Sequence, residues 1–293
     1  AGNVLRDIIS SEAASCFKLK EIFRQAAESM IVVNAHRINS GEYPYINEKE
    51  KDFFFMERGD EQSIVSLISE LVTTRLSAYY DGIDPIKDIQ VLTPVRKGTL
   101  GTASLNAQLQ KMLNPPDVLK TEKKLGDRLF REGDKVMQTR NNYRIGWKKR
   151  RDFSEGQGVF NGDIGYIHNI DNDAGQMTVI FDEDRFVNYE FGQLDEVELA
   201  YAMTVHKSQG SEFPIVVMPV SWFPPMLATR NLLYTAVTRG KKVVILCGMQ
   251  RRMEAMVDNN RIKLRFSGLK HRLRALIGRS IIGSNTETLG NEI

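Results

Sequence analysis

Residues Leu199 to Phe213 read LAYAMTVHKSQGSEF, and the apolar run Ile215 to Val220 follows directly. An apolar strand here would deliver Thr204, His206, Lys207, Ser208 and Gln209 together at its carboxyl end, with Gly210 permitting a tight backbone. Ligands collect at that edge of open α/β sheets. A polar loop with an N-cap serine is the plainer reading of the same residues. A second segment, Asn231 to Gly240, reads NLLYTAVTRG. Leu232, Leu233, Ala236 and Val237 form the inner face of a helix that ends at Arg239, with Gly240 as its C-cap. An arginine there either complements the helix dipole or neutralises charge on a transferring phosphoryl group. A third segment, Ile22 to Ser29, offers Arg24 as its cation, while His36 and Arg37 decorate a solvated helix face. From Lys135 to Arg151 there are seven basic residues and no acid, with Tyr143 and Trp147 interleaved. Such a run is either a solvated loop or a salt-sensitive contact for nucleic-acid phosphates, through residues such as Lys149 and Arg150.

These residues need elements to hold them. Apolar spacing predicts a helix over residues 15–39, a second over residues 61–80 and a third over residues 105–113, the last stopped by Asn114 and two prolines. Ile89 to Thr93 reads as a buried strand ended by Pro94. Strand candidates return at Leu199 to Thr204, Ile215 to Val220 and Val243 to Cys247. Helices alternating with short apolar strands predict an α/β layer on a parallel sheet. Between these two stretches the texture is β. Five short strands are predicted within residues 135–191, with Asn161-Gly162 as a hairpin turn whose two central positions both take positive φ. The expected organisation is one α/β domain over residues 1–124 and 194–250, with a small antiparallel β-barrel inserted at residues 125–193. A basic helical tail over residues 251–293 follows.

The net charge of +3 on 293 residues, with 42% hydrophobic residues, is ordinary for a globular protein and does not by itself prove a nucleic-acid partner. Cys16 and Cys247 lie far apart, which fits a reducing cytoplasm and argues against a disulfide framework or thiolate metal site. Four histidines, none in ligand spacing with another, give no zinc site. No stretch is apolar enough to span a bilayer, so no membrane partner is expected. The opening Ala1-Gly2-Asn3 lacks an initiator methionine and reads as a cut through a longer protein.

Taken together, the segments resemble the motor motifs of superfamily-one helicases, in the RecD-like branch that moves 5′ to 3′ on single-stranded DNA. Phe23 to Gln25 resembles motif IV, Thr204 to Phe213 motif V, and Tyr234 to Arg239 motif VI. Val91 to Gly101, with Leu105 and Asn106, resembles the family's strand-loop-helix. Arg131 to Tyr143 and Val159 to Gly165 resemble the border and first hairpin of its inserted SH3-like barrel. The likeness runs in collinear order over roughly residues 1–248. It implies a RecA-like second motor domain carrying an SH3-like barrel.

In that family ATP lies between two RecA-like domains, and the first supplies the phosphate loop and the magnesium-binding acids. No G-x-x-x-x-G-K-[ST] occurs in this chain. The resemblance therefore implies that ATP and Mg2+ need a preceding domain, and that this chain alone does not hydrolyse ATP. By the same likeness Arg24 and Arg239 approach the γ-phosphate, with Gln209 and Gly210 close by and Glu212 near the ribose. Thr93, Asn106, Thr204 and His206 match positions that contact the single strand. The expected partners are single-stranded DNA, the first motor domain and subunits of a recombination complex. Two other readings stand beside this one: a non-enzymatic single-strand-binding module, and a platform whose barrel holds a protein partner.

Overall fold

The computed structural model describes residues 4–17, 29–47, 52–261 and 268–276, in two units. One unit combines residues 1–24 with residues 261–293. Within it, α1 (Val4–Ser11) and a helical stretch over residues 269–276 meet where Arg274 Nη2 donates to the Ser10 carbonyl at 3.0 Å. The other unit, residues 25–260, carries the sheets.

That larger unit opens with α2 (Met30–Ser40). Ser29 sits in extended backbone and accepts from the Val32 amide, so it is an N-cap that starts a new helix. The single long helix predicted over residues 15–39 is thus corrected: it cannot run through Ser29, whose side chain also donates to Asp52. Residues 18–28, including Arg24, lie outside the described residues. Next come β1 (Phe53–Glu57), which the sequence reading missed, then α3 (Glu61–Glu70). A π-helical turn, Leu71–Arg75, leads into α4 (Leu76–Tyr79), so the helix predicted over residues 61–80 is present with its ladder widened once. β2 (Ile89–Thr93) is wholly buried, and α5 (Thr102–Leu113) starts three residues earlier than predicted.

A separate hairpin of β3 (Glu122–Leu125) and β4 (Arg128–Arg131) introduces the inserted module. The module is a seven-stranded antiparallel sheet. Its strands are β5 (Lys135–Gln138), β6 (Asn142–Lys149), β7 (Glu155–Val159), β8 (Ile164–Asp171), β9 (Gln176–Phe181), β10 (Arg185–Glu190) and β11 (Val197–Leu199). They stand in the order β11-β5-β8-β9-β10-β6-β7 around a core that includes Phe130, Val136, Phe181 and Tyr189. The chain then returns through β12 (Ala202–Thr204), β13 (Phe213–Val220), α6 (Arg230–Val237), β14 (Gly240–Gly248) and α7 (Gln250–Asp258). β1, β14, β13, β2 and β12 form one five-stranded parallel sheet in that order. α2, α6 and α7 contribute to the core on one face, α3 and α5 to the core on the other. This is the RecA-like α/β layer with its antiparallel SH3-like insertion.

Three expectations about the insertion are corrected. The candidate strand Leu199 to Thr204 splits: Leu199 pairs with Val136 in the insertion, whereas Ala202 pairs with Val91 in the parallel sheet. The basic run is mostly strand, because β6 occupies residues 142–149 and pairs with both β7 and β10. Asn161-Gly162 does turn the chain, but it joins β7 to β8, which are not neighbours. Only Gly162 has positive φ, +98°, and the Asp163 amide donates to the Phe160 carbonyl at 3.0 Å. That is the pattern of a type II turn. It bends onto β5, where the Gly162 amide reaches the Gln138 carbonyl at 2.9 Å.

A buried polar knot joins the insertion to the parallel-sheet layer. Asp134 accepts from Gln110 Nε2 (2.6 Å), Asn114 Nδ2 (2.7 Å), the Tyr201 hydroxyl (2.9 Å) and the Arg131 amide (2.7 Å). Burial pushes its carboxyl above the ordinary range, and these four donors oppose that push. Next to it in sequence, the fully buried Lys135 donates to the Ile89 carbonyl at 3.3 Å and has its ammonium pKa pulled down to about 7 by desolvation.

Candidate functional site

The parallel register sorts the candidate residues onto two edges of one sheet. Thr93 and Thr204 are paired neighbours at the carboxyl ends of β2 and β12. Phe213 and Gly240 are paired where β13 and β14 begin, at the opposite edge. Residues 205–212 therefore travel from one edge to the other. Of the residues expected to gather at one strand end, Thr204, His206 and Lys207 do lie at the carboxyl edge, and the chain beyond them crosses over because a parallel strand must be re-entered from its amino end.

At the carboxyl edge lies a cleft of about 770 Å³, whose walls include Arg96, Lys97, Thr204, His206, Lys207 and Trp222. Thr204 is largely buried, and its carbonyl accepts from the Lys207 and Ser208 amides (2.9 and 3.3 Å). His206 is exposed to the cleft. Lys207 turns away to Glu198 on β11, Nζ to Oε2 2.8 Å, which ties the motif V segment to the insertion.

Two expected cleft residues point elsewhere. Thr93 is fully buried and its hydroxyl donates to the Leu100 carbonyl at 2.6 Å, holding the loop that starts at Pro94. Asn106, on α5, accepts from the Ala202 amide (2.8 Å) and donates to the Ala202 (2.8 Å) and Leu199 (3.0 Å) carbonyls. Both side chains are spent inside the protein, so the reading of them as direct strand contacts is corrected to one of positioning: Thr93 shapes the loop and Asn106 pins β12.

At the amino edge, Arg239 follows α6 and spreads its guanidinium over three acceptors. Nη1 donates to the Ser211 carbonyl (3.0 Å), Nε to the Thr235 carbonyl (3.2 Å) and Nη2 to Thr238 Oγ1 (3.2 Å). The Arg239 carbonyl in turn accepts from the Phe213 amide at 2.8 Å. Glu212 beside it is exposed and pairs with Lys241, 3.0 Å. Gln209 and Gly210 are exposed on the connecting turns, and Gly210 takes φ +91°, a conformation L side chains rarely adopt. Gly240, expected as the helix cap, begins β14 instead, and α6 ends at Thr238 in right-handed helical geometry. Motifs V and VI are therefore hydrogen-bonded to one another. The sequence reading did not anticipate Ser211 as the link, because the bond uses a main-chain carbonyl that carries no residue signature.

Lys149 and Arg150 stand apart from both edges, at the β6–β7 turn of the insertion. Lys149 is half-buried with Nζ 5.8 Å from the Trp147 ring, and Arg150 is exposed with its guanidinium 5.4 Å from the Phe186 ring. Acids absent from the run itself arrive from neighbouring strands and turns. Glu155 pairs with Lys148 at 2.6 Å, and Asp184 accepts from the Arg150 and Arg151 amides (3.2 and 3.4 Å). Among the described residues no cluster of three or more His, Cys, Asp or Glu is placed to hold a metal ion. None of their helices is long and apolar enough to cross a membrane.

Comparison with known proteins agrees with this layout. Residues 105–181 match the model of the ATP-dependent RecD-like DNA helicase SH3 domain, and residues 199–247 that of the UvrD-like helicase C-terminal domain. The chain is 30% identical over 266 residues to the ATP-dependent RecD2 DNA helicase of Deinococcus radiodurans, covering 90% of this chain and 33% of that protein. It is 29% identical over 197 residues to the RecBCD enzyme subunit RecD of Mycolicibacterium smegmatis, covering 66% of this chain and 31% of the subunit. The chain thus spans about a third of the length of these curated relatives. Among solved structures, a Bacteroides Pif1 helicase in complex with ADP-AlF3 and ssDNA is similar at a TM-score of 0.45 and 18% identity, covering 92% of this chain and 57% of that one. With both family models in chain order and the RecD2 similarity running through nearly all of it, this chain carries a RecD-like helicase SH3 domain followed by a UvrD-like helicase C-terminal domain.

Proposed function

We propose that this chain is the second motor half of an ATP-dependent DNA helicase that moves 5′ to 3′ and acts in DNA repair or recombination. The observation that carries the reading is the separation of two chemistries on one sheet: a half-exposed arginine tied to motif V at the amino edge, and a cation-lined cleft at the carboxyl edge. A strand-binding module alone has no use for the first. The named relatives are an ATP-dependent helicase and a RecBCD subunit, which supports both the motor and a place in a recombination complex.

In this reading Arg239 neutralises charge on the γ-phosphate, where a planar guanidinium disperses charge better than an ammonium. Gln209 and Gly210 line the nucleotide side, and Glu212 lies toward the ribose. The phosphate loop and the Mg2+ ligands come from a first RecA-like domain, so this chain by itself does not turn over ATP. Bound ATP would supply the phosphoryl-transfer energy; the residues here orient it and report domain closure through the Arg239–Ser211 link. Thr204 and His206 would hold single-stranded DNA at the other edge, with Lys149 and Arg150 adding contacts from the insertion. The test is single-stranded-DNA-stimulated ATP hydrolysis by this chain and by the full-length gene product. Silence from the first with DNA-dependent turnover by the second is expected. Turnover by neither would replace the motor with a strand-binding or partner-holding module.

A further inference from the structure

Trp222 is a large exposed aromatic that the motor reading leaves without a role. It sits two residues past the carboxyl end of β13, in the wall of the cleft shared with Thr204 and His206, and 63% of it is exposed. Exposure alone does not single it out, since lone apolar side chains are common on protein surfaces. Its setting is not that of a loose surface ring. Ser221 before it is buried, and the Arg252 guanidinium of α7 lies over the indole, a cation–π contact that backs the ring. Across the cleft, Arg96 and Lys97 are exposed on the loop that Thr93 holds, and neither forms an ion pair among the described residues. One carboxylate, Glu61, shares the lining.

A ring held in place beside unpaired cations is the combination that binds single strands without reading sequence, one part stacking a base and the other meeting the phosphates. We propose that Trp222 is a base-stacking platform for single-stranded DNA, with Arg96 and Lys97 taking the adjoining phosphates and Arg252 holding the indole in place. The inference rests on the strand-binding half of the proposed function and assigns it a subsite. It also explains why the carboxyl edges of β12, β2 and β13 are contiguous at the cleft: these three neighbouring strands deliver the motif V threonine, the basic loop and the stacking ring to one surface.

The chain has two tryptophans, so Trp147→Phe leaves Trp222 as the sole indole reporter. Titration of that variant with unlabelled oligothymidylate should quench its fluorescence. In parallel, anisotropy of a fluorescein-labelled oligothymidylate reports binding by the wild-type chain, Trp222→Ala and Trp222→Phe. Stacking predicts affinity roughly 5- to 100-fold weaker for the alanine variant, largely regained with phenylalanine. Wild-type-like binding by Trp222→Ala, with no quenching of the indole, would overturn the platform while leaving the strand-binding reading intact. An oligonucleotide that binds none of the proteins would overturn that reading, and the platform with it.

Discussion

The Arg239 guanidinium donates to the Ser211 carbonyl at 3.0 Å, tying the end of the motif VI helix to the turn that enters β13. Two more bonds, to Thr235 and Thr238, complete its hold. On the proposed reading, an arginine kept this way needs little further ordering when a phosphate arrives. In the full-length protein, Arg239→Ala is expected to lower DNA-stimulated ATP hydrolysis by about a hundred-fold or more. Arg239→Lys should not restore it, since an ammonium cannot make the forked contacts. Single-stranded DNA affinity, read by anisotropy, should stay near wild type because that site is on the other edge. Unchanged turnover would remove Arg239 from the reaction.

Asn106 separates a positioning role from a contact role. Its amide satisfies the Ala202 amide and carbonyl on the edge strand β12 and the Leu199 carbonyl at the end of β11. Asn106→Ala leaves those groups unpaired in a buried place, which costs roughly 2–4 kcal/mol of unfolding free energy. Urea denaturation followed by circular dichroism measures this. A variant of wild-type stability but weakened DNA binding would return Asn106 to the list of direct contacts.

Lys135 makes stability depend on pH. Desolvation lowers its folded pKa from 10.5 to about 7, against the pull of Asp84 and Asp88. Between those two values the unfolded chain holds a proton that the folded chain has lost, so stability rises with pH across this window, by at most ~1.4 kcal/mol per unit. Below pH 7 both states are charged and the cost of burial is carried in full. Lys135→Met should therefore gain most over wild type at pH 6–7 and progressively less toward pH 10. Melting temperatures across that range check it, and an advantage independent of pH would contradict the assignment.

Lys149 and Arg150 lie on the insertion, where neighbouring Glu155 and Asp184 already offset part of the basic run. If both reach phosphates, replacing them with alanine lowers the slope of log affinity against log salt by about 0.7 per lost contact on a single strand. Binding isotherms at several salt concentrations give that slope directly. A slope equal to wild type would mark the pair as solvated surface.

Much of this architecture is written locally. The buried strand Ile89 to Thr93, the amphipathic face of Leu232, Leu233, Ala236 and Val237, and the run Ile215 to Val220 are apolar patterns whose length, spacing and flanking residues favour the element found. The family motifs likewise named Arg239 and His206 before any fold was in view. Pairing was not legible in this way, since strand partners are distant in sequence and set by which faces can be buried together. So Leu199 and Ala202, three residues apart, enter different sheets, and Asn161-Gly162 turns between strands that never pair. Thr93 and Asn106 read as polar and available, yet tertiary packing buries them and spends their hydrogen bonds within the protein. The sequence by itself determined the strongly patterned elements and the motif segments, because both reside in local spacing. Only the tertiary structure decided which edge of the sheet each residue serves, because parallel register places Thr204 at one end of the sheet and returns the chain to Phe213 at the other.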